Sequence, residues 1–244
     1  MRIASMLFLL LVPMLVRAEG SSDVVLPPPP AWIVADRPGL ADGPTTVDYM
    51  VAQLETGVTG EGGDEELFTI PALLRYGITD RLELRIASDV LGWTADRRDV
   101  GPVAAGFKLR LREGEVPLSL IASVQPPSGG GILRTTAFES EARLTSEIGL
   151  TEKLSLTPNV GLALVEGGDA TAIFAATLER DMGNLLPFVD FETSFGSGET
   201  SMIADAGVAW LVWPDLQLDL SAGIDVVGDA YPEWFVAAGV SKRF

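Results

Sequence analysis

Charged side chains recur at every second position in several stretches of this chain, a spacing that puts them on one face of an extended strand. Arg81, Glu83 and Arg85 form one such run, Lys108, Arg110 and Arg112 a second, and Glu139, Glu141 and Arg143 a third. Glu55, Arg75, Asp219 and Asp225 fall at equivalent positions, as do Glu147, Asp190, Glu192 and Asp205. Carboxylate pairs such as Glu139 with Glu141, or Asp219 with Asp225, are the raw material of acid–base catalysis. Same-face spacing is a plain consequence of strand geometry, however, and no catalytic residue is expected. The alternative is electrostatic. A basic wall facing an acidic one would set up a transverse field that orients small polar or aromatic solutes in transit. The same charges could also pair across strands and fill a narrow interior without throughput.

Composition closes several other routes. The chain has no histidine, which removes the usual general base, the Ser–His nucleophile pair and the commonest transition-metal ligand. It has no cysteine, so neither a disulfide framework nor thiolate chemistry is available. No cofactor and no metal are expected. The acidic runs Glu61, Asp64, Glu65, Glu66 and Glu166 with Asp169 lack a calcium-loop pattern and read as solvated loops. Gly129 to Gly131 lack the lysine and following helix of a phosphate loop. A net charge of −17 repels a phosphate backbone, and no nucleic-acid partner is expected.

The elements that must position these charges are strands. Apolar residues make up 47% of the chain. Yet beyond the N-terminus no apolar run is long enough for a helical membrane span. The spacing predicts twelve strands centred on Met50 to Val58, Leu67 to Tyr76, Leu82 to Ser88, Val103 to Arg112, Leu118 to Gln125, Phe138 to Leu150, Leu154 to Leu164, Thr171 to Arg180, Pro187 to Phe195, Met202 to Val212, Leu216 to Val226 and Trp234 to Phe244. Gly77 to Arg81, Glu113 to Pro117, Thr151 to Lys153, Asp181 to Asn184 and Trp213 to Asp215 read as tight turns on the periplasmic side. Thr59 to Glu66, Asp89 to Gly101, Pro126 to Ala137, Val165 to Ala170, Gly196 to Ser201 and Val227 to Pro232 read as extracellular loops, generally longer. The expected fold is all-β, a transmembrane antiparallel up-and-down barrel of about twelve strands.

In such a barrel a charge facing lipid at mid-membrane would cost roughly 2–4 kcal/mol, so the strand charges should point inward. The lumen-lining and selectivity candidates are Glu55, Arg75, Arg81, Glu83, Arg85, Lys108, Arg110, Arg112, Glu139, Glu141, Arg143, Asp219 and Asp225. Trp210, Trp213, Tyr231 and Trp234 suit interface girdles, whereas Trp93, placed in a long loop, suits ordinary packing. Pro71, Pro158 and Pro187 each remove a ladder donor; Pro158, near mid-strand, is the hardest to accommodate.

Residues 1–18 have an early arginine, an apolar run from Met6 to Leu15, and Val16 and Ala18 at positions a signal peptidase reads. Residues 19–46, with Pro27 to Pro30, are expected to form a periplasmic extension, either a plain linker or a segment tucked into the barrel mouth. Residues 47–244 would form the barrel, ending on Phe244 as an assembly signal. Expected partners are outer-membrane lipid and lipopolysaccharide, the barrel-assembly machinery, periplasmic chaperones and a small-molecule solute.

Asp36 to Val58, Ile70 to Asp89 and Leu216 to Phe244 together resemble the bacterial outer-membrane β-barrel family named after the meta-pathway of phenol degradation. The likeness is specific in the Asp-Arg-Pro opening (Asp36 to Pro38), in the Pro-x-x-x-Arg-Tyr-Gly strand (Pro71 to Gly77) and in the Thr-Asp-Arg-Leu-Glu turn (Thr79 to Glu83). The resemblance implies an outer-membrane pore or transporter in a Gram-negative bacterium, with aromatic or hydrophobic solutes suggested by the family's name alone. The alternatives are a non-conducting barrel filled by its side chains or by the N-terminal segment, and a soluble periplasmic ligand-binding barrel.

Overall fold

The computed structural model describes residues 32–63, 65–196, 199–228 and 232–244, so the expected signal sequence of residues 1–18, Pro27 to Pro30, Asp64 and Tyr231 lie outside the described residues. Twelve strands follow one another: β1 (Ala52–Gly62), β2 (Leu67–Thr79), β3 (Leu82–Trp93), β4 (Val103–Arg112), β5 (Leu118–Gln125) and β6 (Glu139–Ser146 continued by Ile148–Thr151). The second half comprises β7 (Leu154–Val165), β8 (Ala170–Arg180), β9 (Leu185–Gly196), β10 (Glu199–Trp213), β11 (Leu216–Val227) and β12 (Trp234–Arg243). Each pairs antiparallel with its neighbours in sequence, and β1 pairs with β12 from Gln53↔Arg243 to Gly62↔Trp234. The sheet is therefore closed, with no free edge.

Period-two alternation gives the barrel its two surfaces. Leu84 and Ile86 on β3, Val160, Leu162 and Leu164 on β7, and Leu218, Leu220 and Ile224 on β11 all point outward and are exposed. A belt of this kind is stable only against hydrocarbon. Along the same strands Glu83, Asn159, Asp219 and Ser221 point inward and are buried. On β12 the expected alternation is present: Trp234 and Val236 face out, while Ala237 and Ser241 are buried inside. The backbone of Phe244 caps this strand by donating to the Ala52 carbonyl at 2.8 Å.

The prolines fit for separate reasons. Thr145↔Asn159 and Ile148↔Leu156 keep one register along β6 and β7, so Ser146 and Glu147 oppose Pro158 and Thr157. Pro158 has no N–H to give there. It interrupts the ladder and splits β6 in two without bending the register. Pro71 lies at a gap in the β1–β2 ladder, between Thr56↔Ala72 and Thr59↔Thr69, and beside a bulge against β3. Pro187 lies beyond the last β8–β9 pair, Glu179↔Phe188.

Strands reach further toward the long-loop end than the spacing predicts. β1 continues to Gly62, shortening the expected loop from Thr59. β3 continues through Trp93, so that residue belongs to a strand and not to a loop. There it stacks on Phe68 with ring centroids 5.5 Å apart. Trp210, Trp213 and Trp234 face outward near strand ends, where an indole can reach interfacial water.

Candidate functional site

The lumen is not open along its length. Residues 33–46 enter it and cross from wall to wall before the chain turns into β1. Ile33, Ala41, Thr46 and Val47 are buried against the wall. The segment is anchored chiefly by hydrogen bonds and ion pairs, contacts that polar inward faces can make and an apolar core could not.

Asp36 forms the centre. Its carboxylate takes two hydrogen bonds from the Lys108 ammonium at 2.8 Å each, one from Arg85, and lies 3.4 Å from Arg75. Burial alone would raise the pKa of this carboxyl, but the charges of Arg75, Lys108 and Arg85, with the Lys108 hydrogen bond, outweigh burial and hold it well below the ordinary value. The backbone N–H groups of Asp36 and Arg37 both donate to Glu55. Arg75 ties these together, bonding Glu83 at 2.8 Å and Glu55 at 2.9 Å and reaching the carbonyls of Val34 and Thr45.

The rest of the segment is fixed residue by residue. Asp42 pairs with Arg85 at 2.8 Å, and its carbonyl accepts from Thr145 and Asn159. The Gly43 and Pro44 carbonyls accept from Lys108 and Ser119, and Thr46 accepts from Arg110. On the opposite wall Leu40 N–H donates to Asp190 at 2.7 Å, and Arg37 reaches Asp219 at 3.1 Å while its carbonyl accepts from Gln217. The exit requires Gly77: a Cβ there would lie 1.9 Å from the Asp48 carbonyl oxygen, because the outgoing chain runs directly over it.

The charges expected in the lumen divide by depth. Glu55, Arg75, Glu83 and Lys108 are buried at its centre, with Arg85 and Arg110 half-buried beside them. Glu141 bonds Arg143, which also reaches Glu192 at 2.7 Å, and Glu139 accepts from Gln125. Asp219 is buried against Arg37, and Asp225 is half-buried. Arg81 and Arg112 do not line the lumen. Arg81 is exposed in the turn between β2 and β3 and pairs with Glu113 at 3.3 Å; Arg112 is exposed at the end of β4 and bonds the Val116 carbonyl. A bulge between Arg110 and Arg112 sets Arg112 opposite Leu118 and ends the inward alternation before it, while Arg81 sits in the turn, where a long side chain leans out to water.

Several residues that hold the segment carry no charge: Gln53, Ser119, Thr145, Asn159 and Gln217. Their inward parity was readable. What could not be read was that they meet the backbone of Val34, Arg37, Asp42 and Pro44.

Beside the segment, toward the long loops, lies a cavity of about 320 Å³. Pro71, Ala72, Leu73, Ala87, Pro102 and Ala104 form its largely apolar wall, with Arg37, Glu55, Asp89 and Gln125 as polar points.

The sequence model of one protein family, described as "Putative MetA-pathway of phenol degradation", matches residues 35–244. No curated protein sequence matches the chain. Among solved structures, the COG4313 outer membrane channel from Pseudomonas putida F1 aligns with a TM-score of 0.64 at 13% identity, covering 85% of this chain and 99% of that one. The KdgM porin aligns at 0.57 and 10% identity over 78% of this chain and 99% of its own. The NanC porin aligns at 0.54 and 7% identity over 78% and 98%. The shared feature is the fold, that of an outer-membrane β-barrel.

Proposed function

The chain belongs to this MetA-pathway phenol-degradation family, and on that premise we propose that it is an outer-membrane channel for passive passage of small solutes, kept narrow by its own N-terminal segment. The observation that carries the reading is the chemistry of the contact between segment and wall. Asp36 and Asp42 meet Arg85 and Lys108, and the backbone of residues 34–46 meets hydroxyls, amides and charged groups. Each of these wall groups can be hydrated if the segment withdraws, so the space it leaves is fit for water and polar solutes.

The likeness in fold to an outer membrane channel and to two porins is consistent with this reading. The cavity beside Arg37 suits a solute with a small apolar body and one or two polar groups, the class the family's name suggests. The exposed belt on β3, β7 and β11 disfavours the soluble ligand carrier.

Liposome swelling with neutral solutes of graded size tests the proposal. A channel admits the smallest solutes and excludes larger ones at a definite size. Swelling no faster than in protein-free liposomes, with a correctly folded barrel, would favour the non-conducting alternative.

A further inference from the structure

Opposite the basic strands the lumen wall has a different kind of site, made by β9, β10 and β11. Asp190 and Asp205 are direct cross-strand partners, and Asp205 in turn pairs with Gly223, two residues beyond Ser221. All three side chains point inward and are more than nine-tenths buried, at 5%, 6% and 3% exposure respectively. Two buried carboxyls side by side cannot both carry their charge unless a cation lies between them; otherwise they share a proton.

Among the described residues no protein group supplies a positive charge there. Asp190 uses one oxygen to accept from Leu40 N–H and from the Thr177 hydroxyl, at 2.7 and 3.1 Å. Its other oxygen, both oxygens of Asp205 and the Ser221 hydroxyl are buried with no hydrogen-bond partner. The neighbours of Asp205 are Asp190 and Ser221, with no lysine or arginine among them. The nearby cation of the segment, Arg37, is committed to Asp219. The contrast with the other wall is sharp, since Arg75, Arg85 and Lys108 each meet a carboxylate.

We propose that Asp190, Asp205 and Ser221 hold a single monovalent cation on the lumen wall while the N-terminal segment is seated. The donor set favours that class. Two carboxylates and one hydroxyl fall short of the six to eight oxygens that calcium takes, and the described residues contain no group of three acidic side chains arranged for a metal ion. A weakly held alkali ion needs fewer protein oxygens and can exchange its remaining ligands with water. The site also gives the narrowed lumen a preference: cations find an unfilled acidic wall, whereas the basic wall is already neutralised by Glu55, Glu83, Asp36 and Asp42. This consequence for permeation rests on the channel reading; the binding site does not.

Crystals of the full chain soaked in thallium(I), a heavy stand-in for potassium, provide the test, read by anomalous diffraction in the wild type and in Asp205→Asn and Ser221→Ala. The proposal expects a peak between Asp190 and Asp205 that is lost in Asp205→Asn and weakened in Ser221→Ala. No peak there, with an ordered water or a proton shared by the two carboxyls in its place, would overturn it, as would a peak that persists in Asp205→Asn. Reversal potentials across a potassium chloride gradient then separate the two claims. A cation preference that falls at least several-fold in Asp205→Asn supports both, while a thallium peak in a protein that conducts nothing leaves the site standing and removes the channel.

Discussion

The Lys108 ammonium on β4 sits between the two carboxylate oxygens of Asp36, 2.8 Å from each, although 72 residues separate them in sequence. The same carboxylate faces Arg75 on β2 and Arg85 on β3. One side chain of the N-terminal segment therefore bridges the basic groups of three strands, with Glu55, Glu83 and Asp42 supplying the rest of the balancing charge.

Replacing Asp36 by alanine should release the segment without unfolding the barrel. Removing one partner of a buried ion pair typically costs about 3–5 kcal/mol, because the remaining charges stay buried and unpaired. Here the wall can relieve that cost by letting the segment go and admitting water. Asp36→Ala is expected to make residues 32–46 sensitive to protease added on the side of the short turns, while heat-dependent gel mobility remains that of a folded barrel. Asp42→Ala, which removes a partner of Arg85 alone, should have a smaller effect.

The pairing also predicts resistance to mild acid. The carboxyl pKa of Asp36 is depressed when the segment is seated and is near 3.9 when it is free, so the stabilisation is fully present above about pH 4. It is lost only as pH falls through the depressed value. Protease protection of residues 32–46 should thus hold at pH 5 as at pH 7, and fail only in stronger acid. In Asp36→Asn this acid-dependent component should be absent. Loss of protection already between about pH 6 and 5 would show that another group holds the segment.

Arg37 lies flat over Gly239, where a Cβ would come within 2.4 Å of its Nε and 2.6 Å of Asp219 Oδ1. Both are the ends of flexible side chains, so Gly239→Ala should fold normally and displace Arg37 from Asp219. At Gly77 the atom in the way is the Asp48 carbonyl oxygen, which cannot swing aside. Gly77→Ala should therefore expel the outgoing segment, and its protease sensitivity should exceed that of Gly239→Ala.

Much of this was legible because strand parity is a strict code. Twelve strands, the short turns and the inward direction of Arg75, Glu83 and Lys108 all follow from period two and from the cost of a charge in lipid. The motifs Asp36 to Pro38, Pro71 to Gly77 and Thr79 to Glu83 were visible as separate words. Their meeting in one network, Asp36 and Glu83 on Arg75, was not, since residues 33–46 have no period and contact the wall across separations as long as 182 residues. Arg81 and Arg112 do not line the lumen for a related reason: parity holds only as far as the register does, and the turn at Arg81 and the bulge between Arg110 and Arg112 end it. Pro158 looked incompatible with a closed ladder because the register cannot be seen from one strand; opposite Ser146 its missing donor merely interrupts β6.

Single-channel conductance of the refolded chain in a planar bilayer, with and without residues 19–46, tests the account most directly. If the segment narrows the lumen, the longer chain gives small uniform steps and the shorter one gives steps several-fold larger, both from barrels with folded gel mobility. Equal steps from the two chains would contradict the account, since the segment would then lie outside the path that ions take.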